Sequence, residues 1–350
     1  MGTFRFLLAL SVVCVHLNIH ALVGGQIAVQ SFFLISGFLI SHVLVSNVRY
    51  KNLKLFYRSR FYRIYPIYFI SLGLALILEI TMKFTSHEEN IFDYYSDLGL
   101  WPTITLVLVN IFIFGQDIVM FTAVQNHQVI FTSNFREETN PLYQGLVLPQ
   151  AWSLSLELCF YLLAPLLIRK QKYIYLLLLV SVLSRITIFI LGLGLTDPWS
   201  YRFFPNELLF FIIGICTRLY ILPKIPFIAK IKYVPVALQL LLTITFPFSP
   251  VSGEISGAAY LLFTILNLPL LFKYSFQNQR MLKIDRYLGE LSFPIYITHL
   301  IISKFIFVFL QIQPTILSNT IALSLVVLLA ISIFKLAITP IEKKRHNNLS

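Results

Sequence analysis

Charge is what this sequence has least of. Asp, Glu, Lys and Arg make up 12% of its 350 residues, about half the share a soluble domain carries. With 57% apolar residues, 27 basic and 15 acidic side chains are too few to coat a soluble globule, so a soluble enzyme and a disordered chain are both excluded. Cysteine is scarce too. Cys14, Cys159 and Cys216 each sit in an apolar run, without CxxC spacing or neighbouring metal ligands. That excludes a disulfide scaffold, leaves no zinc or redox site, and reads as buried, inert thiols. Acidic residues are outnumbered, giving a net charge of +12. On a membrane protein this indicates basic cytoplasmic loops beside anionic lipid, with no nucleic acid as partner. Internal repeats and low-complexity tracts are missing, and no second soluble domain is attached, so residues 1–350 read as one membrane-embedded domain. The run after Arg5 lacks a small-residue cleavage site and reads as an uncleaved first span.

Long apolar runs are abundant. A bilayer crossing needs about 20 mainly apolar residues, and candidates occur at 4–23, 27–46, 64–82, 100–119, 147–168, 173–192, 203–221, 233–249, 255–272, 291–311 and 316–338. Basic residues concentrate in segments 47–63, 169–172, 218–232 and 273–286 and in the tail with Lys343, Lys344 and Arg345, which the positive-inside rule assigns to the cytoplasm. Segment 83–99, with Glu88, Glu89, Asp93 and Asp97, and the short connections at 193–202, 250–254 and 312–315 belong outside. Parity then requires an even number of crossings between 47–63 and 169–172, where three candidates lie. The weakest is 100–119, which starts Trp101-Pro102, is broken by Asn110 and ends Gly115-Gln116-Asp117; it reads as re-entrant or interfacial. The expected fold is therefore an all-α polytopic membrane protein with about ten transmembrane helices, one re-entrant or interfacial segment, 120–146 as an outer loop, and both termini cytoplasmic.

Ionisable side chains at membrane depth are costly and mark function by default. Arg5 and His16 are eleven residues apart, which places them on one helical face about 16 Å apart along the axis, and His20 shares that face. The plainer alternative is a snorkelling arginine and a packing histidine. Arg60 and Arg63, at i and i+3, share a face at the start of the third span; guanidinium groups bind phosphate in bidentate fashion, while a plain positive-inside flank is the alternative. Ser153, Glu157 and Tyr161 form a polar stripe at i, i+4 and i+8. The Glu157 carboxylate needs a partner, with Arg185, Arg5 and the histidines as candidates. Ser292, Tyr296 and His299 form a second stripe at i, i+4 and i+7, read at the inner end of the penultimate span. Interhelical hydrogen bonding or packing would explain either stripe without chemistry. Arg185 and Glu207 are further intramembrane charges that could neutralise each other.

Taken in order, these features resemble the membrane-bound acyltransferases of the acyltransferase-3 family, which O-acetylate bacterial cell-surface glycans. The stretch from Arg5 to His16 matches the family's arginine-to-histidine opening. Val29 to Ile40, with Phe32-Phe33 and Ser36-Gly37-Phe38, matches its FFxxSGF signature, although Gln30 stands where glycine and valine are frequent. Arg60 to Arg63 matches RxxR, Trp152 to Tyr161 matches WSLSxExxFYL, and Ser292 to His299 matches SFxxYxxH. The resemblance implies acetyl-CoA or another acyl-CoA as cytoplasmic donor, a glycan or lipid-linked sugar as acceptor, membrane lipids as surroundings, no metal, and residence in the bacterial inner membrane. It implies His16 as the catalytic base and Arg60 and Arg63 as donor-binding or structural, with Arg5 beside them as a candidate. Glu157 is the candidate for orienting or charging the site. Ser36, Ser153, Tyr161, Ser292, Tyr296 and His299 are the remaining polar-face candidates. The competing class is a secondary transporter or flippase, but the paired broken helices of many transporters have no counterpart in a second copy of FFxxSGF or RxxR.

The charge pattern makes a topological prediction. A reporter active only in the cytoplasm and fused after Ser350 is expected to be active, and one active only in the periplasm to be silent; the reverse result would overturn the parity argument.

Overall fold

The computed structural model describes residues 1–85, 90–225, 233–249, 253–275 and 279–340. Glu88, Glu89, Lys230, Lys232 and the basic tail lie outside the described residues. The helices are α1 (Gly2–His16), α2 (Gly25–Ser46), α3 (Leu53–Thr85), α4 (Ile91–Ser96), α5 (Leu100–Phe112), α6 (Gln116–Val119), α7 (Trp152–Arg169), α8 (Lys172–Ile190), α9 (Phe204–Cys216), α10 (Val234–Thr245), α11 (Glu254–Ser275), α12 (Gln279–Ser303) and α13 (Ile316–Ile333). One hairpin, β1 (Thr122–Gln125) and β2 (Gln128–Phe131), interrupts the all-α pattern. Its two turn residues, Asn126 and His127, both have positive φ, as the tightest hairpin turn requires.

Among the described residues, eight helices are long and apolar enough to cross a membrane, and the protein is a multi-pass, essentially all-α membrane protein. Three further apolar helices are shorter: α1, α5 and Val234–Phe248. The eleven sequence candidates are all helical in the main, but several boundaries move. The first ends at His16 rather than near residue 23. There Asn18 adopts φ 53°, and the amides of Asn18 and Ile19 donate to the carbonyls of Val15 and Cys14. This is a left-handed stop for which asparagine is suited. His20 therefore lies beyond the helix and does not extend the face of Arg5 and His16. The segment 100–119 is no continuous span. Helix α5 has 13 residues, about 20 Å against a hydrocarbon core of about 30 Å, and Ile113 and Gly115 then turn left-handed.

Two segments expected as loops are helical. Helix α3 begins at Leu53, behind an Asn52 side chain that accepts from the Lys54 amide (3.0 Å), so Arg58, Arg60 and Arg63 ride on its first turns. Helix α12 begins at Gln279, so His299 lies 20 residues, about 30 Å, into the helix.

The chain forms two units, Met1–Tyr68 with Ile213–Ser350, and Phe69–Ile212. In the first, α1 packs along α12 and α12 against α13. Ala9, Val13 and Leu17 of α1 meet Leu291 and Ile295 of α12, with Ala322, Val326 and Ala330 of α13 alongside. The contact residues recur every fourth position, and the alanines among them, Ala9, Ala322 and Ala330, let apolar helices approach where lipid supplies no hydrophobic drive. Helices α1 and α12 run parallel. The Asp285 carboxylate accepts from the Gly2 amide (2.9 Å), the Thr3 amide (2.8 Å), the Thr3 hydroxyl (2.9 Å) and the Met1 amine, so a negative charge satisfies the open amides at the start of α1. A Cβ on Gly289 would lie 2.7 Å from the Gly2 Cα. Elsewhere in this unit α10 and α11 are joined by polar side chains: Gln239 donates to Thr264 (3.0 Å), Asn267 donates to Gln239 (3.1 Å), and Thr243 shares a hydrogen bond with Tyr260 (2.8 Å).

In the second unit the Arg185–Glu207 pair, read from sequence as mutually neutralising, is formed at 2.7 Å. Arg185 also donates to the Asn206 carbonyl (3.1 Å), and Ser184 donates to the Asn206 side chain (2.6 Å). The hairpin region and the 193–203 connection converge on Arg202. Its guanidinium pairs with Asp197 and lies 4.4 Å from the centre of the Trp152 ring and 4.7 Å from that of Tyr201. Arg136 binds the same carboxylate (2.6 Å). Burial raises the Tyr201 hydroxyl above its ordinary range, with Arg202 opposing.

Close helix approach should govern stability. Gly214→Ala would set a Cβ 2.2 Å from the Leu34 carbonyl oxygen and 2.7 Å from the Phe38 amide. That change and Gly289→Ala are each expected to lower stability by about 1–3 kcal/mol, as overpacking does, read as the unfolding midpoint in detergent. Gly73→Ala, which meets nothing within 4 Å, should leave the midpoint unchanged or raise it by up to about 1 kcal/mol, because alanine favours helix.

Candidate active site

The parallel register of α1 and α12 carries the site. Gly2 lies against Asp285, 283 residues ahead, and the same offset brings His16 against His299. Their ring centres are 4.7 Å apart with the planes tilted by 56°. His16 closes α1 on the exposed side, and His299 is 1% exposed behind it. Tyr296 is buried one turn before His299, its ring 6.0 Å from that of His299 and 6.4 Å from that of Phe32. The structure thus joins three motifs that the sequence holds apart: the end of α1, the FFxxSGF helix and the SFxxYxxH helix.

Each imidazole is fixed by its own helix. His16 Nδ1 is 2.8 Å from the Val12 carbonyl oxygen, and His299 Nδ1 is 2.6 Å from that of Tyr296. A carbonyl oxygen only accepts, so both Nδ1 atoms carry the proton and both rings present Nε2 as the basic nitrogen. His299 Nε2 is buried and has no hydrogen-bond partner among the described residues. Ser292 donates to the Gly289 carbonyl (2.7 Å), and Thr298 to that of Pro294 (2.7 Å). Both hydroxyls are spent locally around Pro294, which cannot donate a helical hydrogen bond. A π-helical segment, Lys304–Phe309, follows within five residues of His299.

The remaining candidates divide. Arg60 is 8% exposed, donates to Ser59 (3.3 Å) and packs over the Phe56 ring (5.8 Å), whereas Arg63 is exposed. The two guanidiniums stand in different surroundings, although their i, i+3 spacing predicts one face. The reason is that 60° of helical rotation separates them at the edge of the buried stripe. Arg5 is half-buried on α1, and Ser36 half-buried on α2. Glu157, Ser153 and Tyr161 belong to the second unit. There Tyr161 donates to Glu157 (2.6 Å) and Ser153 to the Gln150 carbonyl (3.4 Å), while Arg185 is engaged by Glu207.

Sequence reasoning missed two local arrangements. Ser155, the second serine of the WSLSxE stretch, donates to Asp117 (2.6 Å) and accepts from the Gly115 amide (2.9 Å), tying the end of the broken 100–119 segment to α7. Arg218 donates to His42 Nδ1 (2.9 Å), whose ring lies 4.5 Å from that of Phe272. No periodicity announces either contact, because each partner comes from a distant stretch of chain. Among the described residues no group of three or more His, Cys, Asp or Glu side chains is arranged to hold a metal.

Comparison with curated proteins and with solved structures gives no match. Residues 2–335 match the family profile described as an acyltransferase domain. With nearly its whole length matched, the chain belongs to the acyltransferase-3 family of acyltransferases.

Proposed function

We propose that the protein transfers an acyl group, acetyl, from cytoplasmic acetyl-CoA to a hydroxyl of a cell-surface or lipid-linked glycan, acting as an O-acyltransferase of the bacterial inner membrane with both termini in the cytoplasm. The observation that carries the reading is the His16 imidazole at the exposed end of α1, its Nδ1–H held by Val12 and its Nε2 therefore the proton acceptor. Imidazole titrates near neutral pH and suits abstraction of a hydroxyl proton. In the reaction the acceptor oxygen bonds to the thioester carbonyl carbon as its proton passes to His16 Nε2. The C–S bond then breaks with its electron pair on sulfur, and the proton moves to sulfur to give the free thiol.

Arg63, exposed on the first turns of α3, is assigned to a donor phosphate, for which guanidinium geometry is fitted. Arg60 packs against Phe56 and steadies that helix. Arg5 is retained as a donor-side cation. Glu157 is assigned as a charged group required for transfer, since a carboxylate in an apolar helix is costly and is kept where it acts.

The reading is tested by mass spectrometry of surface glycans from cells with and without the protein. An acetyl increment that depends on the protein supports it, and identical glycans overturn it. His16→Ala should lower transfer by about 10²–10⁴-fold, the usual contribution of a general base, with membrane levels unchanged. His20→Ala, beyond the end of α1, should stay near wild type. Arg63→Ala should raise the KM for acetyl-CoA by about 10- to 100-fold, the loss of one charged phosphate contact, at unchanged stability. Arg60→Ala should also lower the unfolding midpoint; an unchanged KM in Arg63→Ala would return that side chain to the role of a basic flank.

A further inference from the structure

We propose that His299 is a positioning residue that holds the transferred proton jointly with His16, its Nε2 accepting the N–H that His16 acquires during transfer. The inference rests on the proposed function and extends it to a second side chain.

Both rings spend their Nδ1 protons on carbonyls of their own helices, His16 on Val12 and His299 on Tyr296. Each therefore turns a lone pair, not a proton, toward its remaining partners. Between two such rings no hydrogen bond forms while both are neutral, and one added proton satisfies both nitrogens. The centroid separation of 4.7 Å falls within two ring radii plus one N–H···N bond, so the rings are near enough for one proton to be shared. Burial supplies the second argument. His299 Nε2 has no partner among the described residues, and a buried polar atom in that state calls for one, which a proton shared with His16 would supply.

The consequence is a division of labour. His16, exposed at the helix end, meets the hydroxyl. The O–H bond breaks and the proton moves to His16 Nε2, then lies between the two Nε2 atoms while the acceptor oxygen bonds to the carbonyl carbon. When the C–S bond breaks, the proton leaves the pair for the thiolate sulfur, and both imidazoles return to neutral. His299 touches neither substrate. It acts by giving the short-lived imidazolium a hydrogen-bond acceptor where the surroundings are apolar, which lowers the barrier without changing donor binding.

The test uses membrane vesicles from cells expressing the full chain, with radiolabelled acetyl-CoA supplied to the cytoplasmic face and label counted in the glycan fraction. Protein amounts are normalised and each variant is checked for wild-type elution in detergent. His299→Leu is expected to lower Vmax by about 100-fold, the lower range for proton-transfer assistance, with the KM for acetyl-CoA unchanged. His299→Gln, whose side-chain oxygen accepts an N–H, is expected to recover Vmax to within about tenfold of wild type with the same KM, because the effect sits in the chemical step. His299→Phe replaces the leucine variant should that one fail to fold. Wild-type Vmax in the apolar variant, a change confined to KM, or a folded glutamine variant as inactive as the apolar one would each overturn the role. If wild-type vesicles transfer label and His16→Ala does not, the proposed function stands and the His299 variants judge this inference alone; if wild-type vesicles transfer none, both fall.

Discussion

The parallel contact between α1 and α12 is the constraint on which the site depends. Its fixed point is Asp285, which gathers the open amides of Gly2 and Thr3 and so sets where α1 starts along α12. Two glycines, Gly2 and Gly289, let the backbones meet there. Below that clamp the pair continues through Ala9, Val13 and Leu17 against Leu291 and Ile295. After 14 residues on each helix it delivers His16 to His299. The register is rigid because a helix slides past its neighbour only in steps that would unseat the clamp, the small-residue seam and the ring contact together. A left-handed stop at Asn18 then ends α1 immediately behind His16, placing the imidazole at an exposed helix end rather than within a wall of packed side chains.

Several polar groups in the apolar helices bond to one another and hold helices together. Arg185 and Glu207 form a pair; Gln239, Thr264 and Asn267 bond across α10 and α11; Arg202 is enclosed by Asp197, Trp152 and Tyr201. Each arrangement removes the cost of a polar group away from water by pairing it internally. His299 Nε2, like Ser31 Oγ and Asn319 Oδ1, is buried without a hydrogen-bond partner among the described residues, and it alone of the three is a basic nitrogen. The carboxylates and amides hold helices together, whereas the histidine pair retains capacity to bind a proton.

The broken segment at α5 and α6 illustrates how an apolar run is diverted from spanning. Asn110 donates to the carbonyls of Leu106 and Gly145 and accepts from the Val147 amide, which ties α5 to the chain just before α7. Ser155 then binds both Asp117 and the Gly115 amide. The irregular backbone after residue 112 is thereby provided with partners from protein, the condition under which non-helical backbone is tolerated near a membrane.

Much of this was legible in the sequence, and the limit of legibility has a physical cause. Eleven apolar runs, their composition and the helical spacing of Ser153, Glu157 and Tyr161 or Ser292, Tyr296 and His299 are local properties. Length and periodicity decide them, so the helices and the polar stripes were readable. The interruption at 100–119 was readable from Gly115 for the same reason, whereas Asn110, expected to break the helix, lies within α5, which runs on to Phe112. Helix ends were less so: the stop at Asn18 and the early start of α3 behind Asn52 turn on local capping contacts that charge-based loop assignment overrides. What the tertiary structure alone decided is which stripes meet. Arg60 is buried and Arg63 exposed because the packed stripe of α3 ends between them, a boundary no spacing rule contains. His16 and His299 are 283 residues apart, and each is one titratable group on an apolar helix until the Asp285 clamp fixes the register. The sequence by itself determined the membrane helices and the residues able to do acid–base chemistry; the packing of α1 on α12 made two of those residues into a pair, because proximity across helices is set by interhelical contacts and not by position along the chain.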